Sequence, residues 1–295
     1  MISTRFYIIT IAIIFISLGT GILIGINMNG QDLYLKQQQL LLESFENRYN
    51  QMAVEKEDFL NQINLLLEEK DHSIQILDHI IYELSSSKLK GLNIAIINTS
   101  EYEHSIGLKS FIEESGGVVP IEVNYSKDFG KFTSEKLSDF LSLKIESSKE
   151  LIEAINKDIV DLITYGKKNS VLEEAISHNI IQYRGENEVI TDEPIHFVVI
   201  IGGSSTIEKN HVELIDLPLI DLFNKNVIPV VGVESNDVGY SYIPHYKEAK
   251  ISTIDNVNTS IGKVSLVYVI SGVDGNFGEK DFSDHLFPMK AIGDN

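Results

Sequence analysis

His196-Phe-Val-Val-Ile-Ile-Gly-Gly-Ser-Ser-Thr206 decides the fold. An unbroken apolar run closed by paired glycines reads as a strand buried on both faces that ends in a tight turn. Upstream of it, Leu92–Asn98 and Val118–Asn124 have the same character, separated by a helical stretch over about His104–Ser115 that stops at Gly116-Gly117. Helical periodicity fills much of Ser134–Asn179, most clearly Ser148–Tyr165, and Ile180–Arg184 reads as a short extended piece. Downstream, helical Leu217–Asn224 leads to a buried strand at Val227–Val233, a short strand at Ala249–Thr253 and a last helix over Ser260–Gly272. Val/Ile-rich runs alternating with helices predict an α/β fold, with a doubly wound, mostly parallel sheet covered on both faces (Rossmann-like) across residues 91–295.

Before this domain lies a different pattern. With Leu35 as heptad position a, the a series runs Leu35, Leu42, Tyr49, Lys56, Ile63, Lys70, Leu77 and Leu84. The d series runs Gln38, Phe45, Met52, Phe59, Leu66, Ser73 and Ile80, and neither Pro nor Gly falls between Asp32 and Lys90. A 3.5-residue seam over about seven heptads predicts a left-handed coiled coil, a stalk over residues 32–90 roughly 75 Å long at ~1.5 Å per residue. Lys56 and Lys70 weaken the seam but favour two strands in register, hence a homodimer. From Leu60 on, position e is apolar as well, at Leu60, Leu67, Ile74 and Ile81. That wider stripe implies a larger oligomer there, a partner protein, or packing on the chain's own α/β domain.

The first 31 residues carry one charge, Arg5, and Phe6–Ile26 is almost wholly apolar. About 20 such residues cross a hydrocarbon core ~30 Å thick, whereas a signal peptide has a shorter apolar region and a small-x-small cleavage site that Gly25-Ile-Asn-Met-Asn29 does not provide. Residues 1–31 are therefore expected to be a transmembrane anchor in a cell membrane. Arg5 and the amino terminus before the span, with Asp32 and Lys36 after it, favour a cytoplasmic N-terminus, with the stalk and α/β domain outside. Ser17, Gly21 and Gly25 recur on one face and would let two helices approach closely in lipid, although glycine is also simply common in membrane helices.

The net charge of −19 is concentrated in the C-terminal domain, since residues 32–90 hold eleven acids against six bases. Such a surface repels nucleic acid and anionic lipid headgroups, so neither is an expected partner. The chain has no cysteine, which removes disulfides, thiolate metal sites and cysteine nucleophiles without settling the compartment.

Catalytic and cofactor motifs are missing. The first strand-to-helix turn, Asn98–His104, contains two acids and none of the glycines that let backbone approach a pyrophosphate. Gly262-Lys263 is followed by Val264, with no glycine at 257 to make a phosphate loop, and no G-x-S-x-G elbow occurs. The turn Gly202-Gly203-Ser204-Ser205-Thr206 lies where open α/β sheets bind ligands, so its N–H groups could hold an anion. The competing reading is a tight turn that needs glycine. Asp255 and Asn256, after a later strand, extend this candidate ligand or partner rim, although acids such as Asp255, Asp274 and Glu279 are numerous enough to be solvated surface. No two of the eight histidines are spaced i,i+3 or i,i+4, and soft sulfur for copper(I) is limited to Met1, Met28, Met52 and Met289. No catalytic residue, resident cofactor or metal site is therefore expected.

Two stretches carry a family resemblance. Met1-Ile-Ser-Thr-Arg-Phe-Tyr-Ile-Ile-Thr10 runs into Leu18-Gly-Thr-Gly-Ile-Leu-Ile-Gly25 and then Gln37-Gln-Gln-Leu-Leu41. Tyr242-Ile-Pro-His-Tyr246 is followed by Ser252-Thr-Ile-Asp-Asn-Val-Asn-Thr259, Gly262 and Gly275-Asn-Phe-Gly278. With Gly202-Gly203-Ser204, these resemble the mycobacterial copper transport protein B family. The resemblance implies copper efflux or homeostasis through an outer-membrane pore. Corynebacterial relatives imply instead a role in envelope assembly and division, with a partner that resembles a thiamine pyrophosphokinase. Strands of about ten alternating residues, which a membrane barrel needs, are not legible here. The residues themselves favour a self-associating, non-catalytic envelope scaffold; copper enters only through the family.

Overall fold

A computed structural model describes residues 4–101, 105–127, 147–185 and 194–289, with Phe129, Phe140 and Ile145 between them. His104, most of 134–146 and part of the first turn, all read above from sequence, lie outside the described residues. The chain divides into two units, Met1–Ile74 and Gln75–Asn295.

The first unit is helical. Helix α1 runs unbroken over Thr4–Ser85, as a segment without Pro and with its glycines confined to the first third should. Its Thr4–Ile26 portion is long and apolar enough to cross a membrane, with mean hydropathy 2.5 and its described side chains exposed. Ser17, Gly21 and Gly25 lie on this portion, the glycines with open space around them. The seam residues Leu35, Leu42, Phe45, Tyr49, Met52, Phe59, Ile63 and Leu66 are all exposed on α1.

In the second unit a seven-stranded sheet is built from β1 (Asn93–Asn98), β2 (Val118–Tyr125), β3 (Ile181–Gly185), β4 (Phe197–Ile201), β5 (Val230–Val233), β6 (Ser252–Ile254) and β7 (Asn276–Phe277). Their order across the sheet is β3-β2-β1-β4-β5-β6-β7, parallel throughout except that β3 runs antiparallel at one edge. All of β1 is buried, and its side chains alternate between two hydrophobic layers. Ala95 and Ile97 join one layer, while Ile94 and Ile96 join the other.

The first layer is covered by α3 (Ser148–Tyr165), α4 (Ser170–Ser177), α5 (Leu217–Lys225) and α6 (Ile243–Glu248). Helix α3 starts where Ser147 Oγ accepts from Glu150 N and stops at Gly166 in the left-handed conformation. Between these caps Leu151, Ile155, Ile159 and Leu162 form one buried stripe, each stabilising the domain by roughly 1.5–3 kcal/mol. The second layer is covered by α2 (Ser105–Glu114) and α7 (Ser260–Ile270). Helix α7 is capped by Thr259 Oγ1, which accepts from Gly262 N. It is buried nearly all round, which suits its continuous apolar sequence.

Two sequence expectations are corrected. The strand expected at Ala249–Thr253 begins three residues later and is confined to Ser252–Ile254, because α6 occupies Ile243–Glu248 and Lys250 turns the chain with positive φ. The strand expected from Val227 begins only at Val230, because Val227 itself is in the left-handed region with φ 60°. A β-branched residue there is strained, and Val227 is 87% exposed with nothing gained in return. Val227→Asn is expected to raise the unfolding free energy by about 1 kcal/mol, measured by urea titration of the two proteins.

Candidate functional site

The parallel strands point their carboxyl ends to one edge of the sheet. From β1 the chain continues to β2 on one side, whereas β4 lies on the other, so the winding direction reverses between β1 and β4. Ligands of open α/β sheets bind outside such a reversal. Here that edge is made by Asn98–Glu101 after β1, Gly202–Ser205 after β4, Glu234-Ser235 after β5 and Asp255-Asn256 after β6. Asp216, at the end of a π-helical turn over Val212–Asp216, lies beneath it.

Gly202 is a place of close approach. A Cβ there would collide with the Tyr246 hydroxyl and lie 2.7 Å from the Tyr242 ring. Gly203 has φ 94°, and a Cβ on it would be 2.7 Å from Val238. Both glycines are thus required by the chain's own packing. Ser204 is buried and donates from Oγ to Thr206 O (2.8 Å), and Ser205 donates to Glu101 Oε2 (2.9 Å), which also takes Lys209 Nζ (3.1 Å).

Three fully buried carboxylates organise the edge. Asp216 Oδ2 accepts from Thr99 Oγ1 (2.9 Å) and from the Tyr246 hydroxyl, while Oδ1 has no partner. Burial is the main reason its pKa is pushed up to about 7, against the opposing effect of those two bonds. Tyr246 is held well above its ordinary value, by burial first and by Asp216 second. Tyr242, pushed up to about 12 chiefly by burial, accepts from His211 N at 2.9 Å.

Glu234 accepts from Lys280 Nζ (2.7 Å), Ser241 Oγ (2.7 Å) and Tyr242 N (2.8 Å). Its pKa is raised by burial, which outweighs Lys280 and the other donors. Asp255 accepts from Glu279 N (2.8 Å), Lys280 N (2.8 Å) and Ser283 Oγ (2.6 Å). Gly278, with φ 145°, makes room for that carboxylate, and a Cβ on it would strike Asp255. Asn256, also fully buried, donates to Glu279 Oε1 at 3.3 Å. The segment after β7 therefore folds back over the ends of β5 and β6, fastened by Asp255 and by the Lys280–Glu234 ion pair.

Chemically this edge is closed upon itself. Lys280 stands on Glu234 where a cationic group of a ligand would stand, and backbone N–H groups already occupy Asp255. Of the acids that sequence reading put at the surface, Asp274 and Glu279 are exposed but Asp255 is not: the loop that follows β7 encloses it. Among the described residues no group of three or more His, Asp or Glu side chains could hold a metal ion. A groove of about 780 Å³ lies at the opposite edge, by the amino ends of β4 to β7, with His196, Lys250, Asp274 and Asn276 on its walls.

A family model described as copper transport outer membrane protein, MctB, matches residues 1–288. The chain belongs to that family. No curated protein matches the chain. The residues that carried the resemblance to the MctB family in the C-terminal domain now have physical roles. Tyr242 and Tyr246 fill the space left by Gly202, Asp255 and Gly278 build the fastened loop, and Gly262 makes room for Asn256 at the start of α7. Sequence reading missed Asp216, Glu234 and Lys280. An acid directly after a buried strand was a usable signal for Glu234; nothing in the sequence marks Asp216.

Proposed function

We propose that this MctB-family protein is a membrane-anchored, self-associating scaffold whose coiled-coil stalk presents a non-catalytic, Rossmann-like α/β domain to a partner in the cell envelope. The observation that carries this is the uncovered seam on α1: eight heptad residues from Leu35 to Leu66 are each at least half exposed on one helix. Exposed apolar stripes of that length mark an interaction surface, and a strict 3.5-residue repeat is self-complementary. The closed strand edge supports a binding rather than a catalytic role for the domain; with Gly202, Gly203, Ser204, Asp255 and Asn256 buried in it, the face toward a partner lies outside that rim. The apolar Thr4–Ile26 segment supports anchoring by one span, cytoplasmic N-terminus first, with Ser17, Gly21 and Gly25 aiding pairing in lipid.

Light scattering on the full-length protein in a nonionic detergent tests the reading. The expected mass, after correction for detergent, is a multiple of the 33.1 kDa chain. A strictly monomeric particle would reject it.

The family description favours a second reading, copper transport or homeostasis. Copper would then be cargo, and deletion of the gene should sensitise cells to copper. Unchanged copper tolerance, together with no copper binding by the purified protein, would rule it out.

A further inference from the structure

We propose that the groove at the amino ends of β4 to β7 binds a short zwitterionic peptide, with Lys250 and His196 taking its carboxylate and Asp274 its ammonium group. Such a site is independent of how the stalk pairs. The groove has a volume of about 780 Å³, within the ~300–1,000 Å³ of small-ligand sites. Its floor is apolar, made by Val230, Ile251 and Ile270. Its walls carry polar groups that the fold leaves unused. His196 Nδ1 accepts from Asn93 N at 3.0 Å, so the neutral ring keeps its proton on Nε2, a donor with no partner among the described residues. Lys250 and Asp274 are exposed and have neither an ion pair nor a side-chain hydrogen bond among the described residues. Lys247, on the same groove, is by contrast held by Asp284 Oδ1 (2.9 Å) and Phe282 O (2.8 Å).

Lys250 precedes β6 and Asp274 precedes β7, and these strands are paired in parallel. A cation and an anion thus stand at the bases of neighbouring strands without neutralising each other, which suits a ligand that carries both charges. The spacing sets the length of that ligand. Lys250 of β6 and His196 of β4 reach over the base of β5 from either side, and β5 lies two strands from β7. Two gaps of ~4.8 Å make ~10 Å, the span of about three extended residues. Lys250 is also held where a lysine fits poorly. It turns the chain after α6 with φ 61°, and Ile251 N closes the turn on Tyr246 O at 3.4 Å. The matching turn after α7 uses Gly272, with φ 108°, closed by Val273 N on Tyr268 O at 3.0 Å. Glycine or asparagine would fit position 250 with less strain, so the turn itself does not call for lysine. Strained residues of this kind gather at ligand sites. Val227 occupies a like turn after α5, but it does not line the groove.

Saturation-transfer NMR on the tripeptide Ala-Val-Leu, with the full-length protein in a nonionic detergent at neutral pH, tests the site. The expected Kd is about 0.1–1 mM, as befits an open groove. Acetylating the amine or amidating the carboxylate should each weaken binding about tenfold. Asp274→Asn should weaken the free peptide by a similar factor and leave the acetylated one unchanged, since the lost partner is the same. Lys250→Asn should do likewise with the amidated peptide, while melting no lower than wild type because asparagine suits the turn. Three results overturn the proposal: no saturation transfer at about 10 mM peptide, a doubly capped peptide bound as tightly as the free one (partition into the micelle only), or unchanged affinity in both variants.

Discussion

Asp255→Ala is expected to lower the unfolding free energy by about 3–5 kcal/mol, and Asp255→Asn by a smaller amount. The reason is the number of donors stranded. With the carboxylate gone, Glu279 N, Lys280 N and Ser283 Oγ lose their acceptor inside a region where Asp255 itself has no solvent exposure. Each of these bonds ends on a charged group, and such bonds are worth ~1.5–3 kcal/mol apiece. Lys280 is held to Glu234 by the same loop, so its release also leaves a buried glutamate with one partner fewer. Thermal and urea unfolding of the full-length variants in detergent would show the loss. A change within about 0.5 kcal/mol would mean that the loop after β7 is not fastened as described.

The second large effect concerns pH. Burial, as the first cause, pushes the Asp216 pKa in the folded state up from its ordinary 3.8 to about 7. A carboxyl whose folded pKa is raised favours the folded state while it is protonated. That contribution is complete below the unfolded pKa and is lost as pH rises through about 7. Three pKa units at ~1.4 kcal/mol each correspond to a loss on the order of 4 kcal/mol between pH 4 and pH 8. Glu234 and Asp158, also raised mainly by burial, act in the same direction. The difference between wild type and Asp216→Asn isolates the first group. Its unfolding free energy relative to the variant should fall across that pH range, and a pH-independent difference would show that Asp216 is ionised throughout.

How much of this was legible depended on whether a feature is local. Buried strands such as Phe197–Ile201 announce themselves through unbroken apolar runs, and α3 through its helical period. Helix α1 was readable for the same reason, since heptad spacing is a property of the chain alone. Helix α6 was not, because it is six residues long and holds Pro244, so its pattern is too short to count. The direction of β3 was hidden as well: strand polarity is set by the path of the connection from α4, which leaves no periodic trace. At the strand edge, Gly202 and Gly203 stood out, but their purpose did not. Only the fold brings Tyr242 and Tyr246 against Gly202, and Val238 against Gly203, some forty residues on in sequence. Asp216 is the extreme case, an ordinary acid in sequence that becomes a buried carboxyl because Thr99 and Tyr246 converge on it.

The central claim is that the exposed seam of α1 meets its own copy. A cysteine scan through residues 35–84 of the full-length protein in membranes tests it most directly, since the chain has no native thiol. Crosslinking yield should rise and fall with a period of 3.5 residues, with maxima at Leu42, Phe45, Tyr49, Met52, Phe59, Ile63 and Leu66 and minima at Asn47, Val54 and Asn61. A profile without that period, or no crosslinked product at any seam position, would contradict the account.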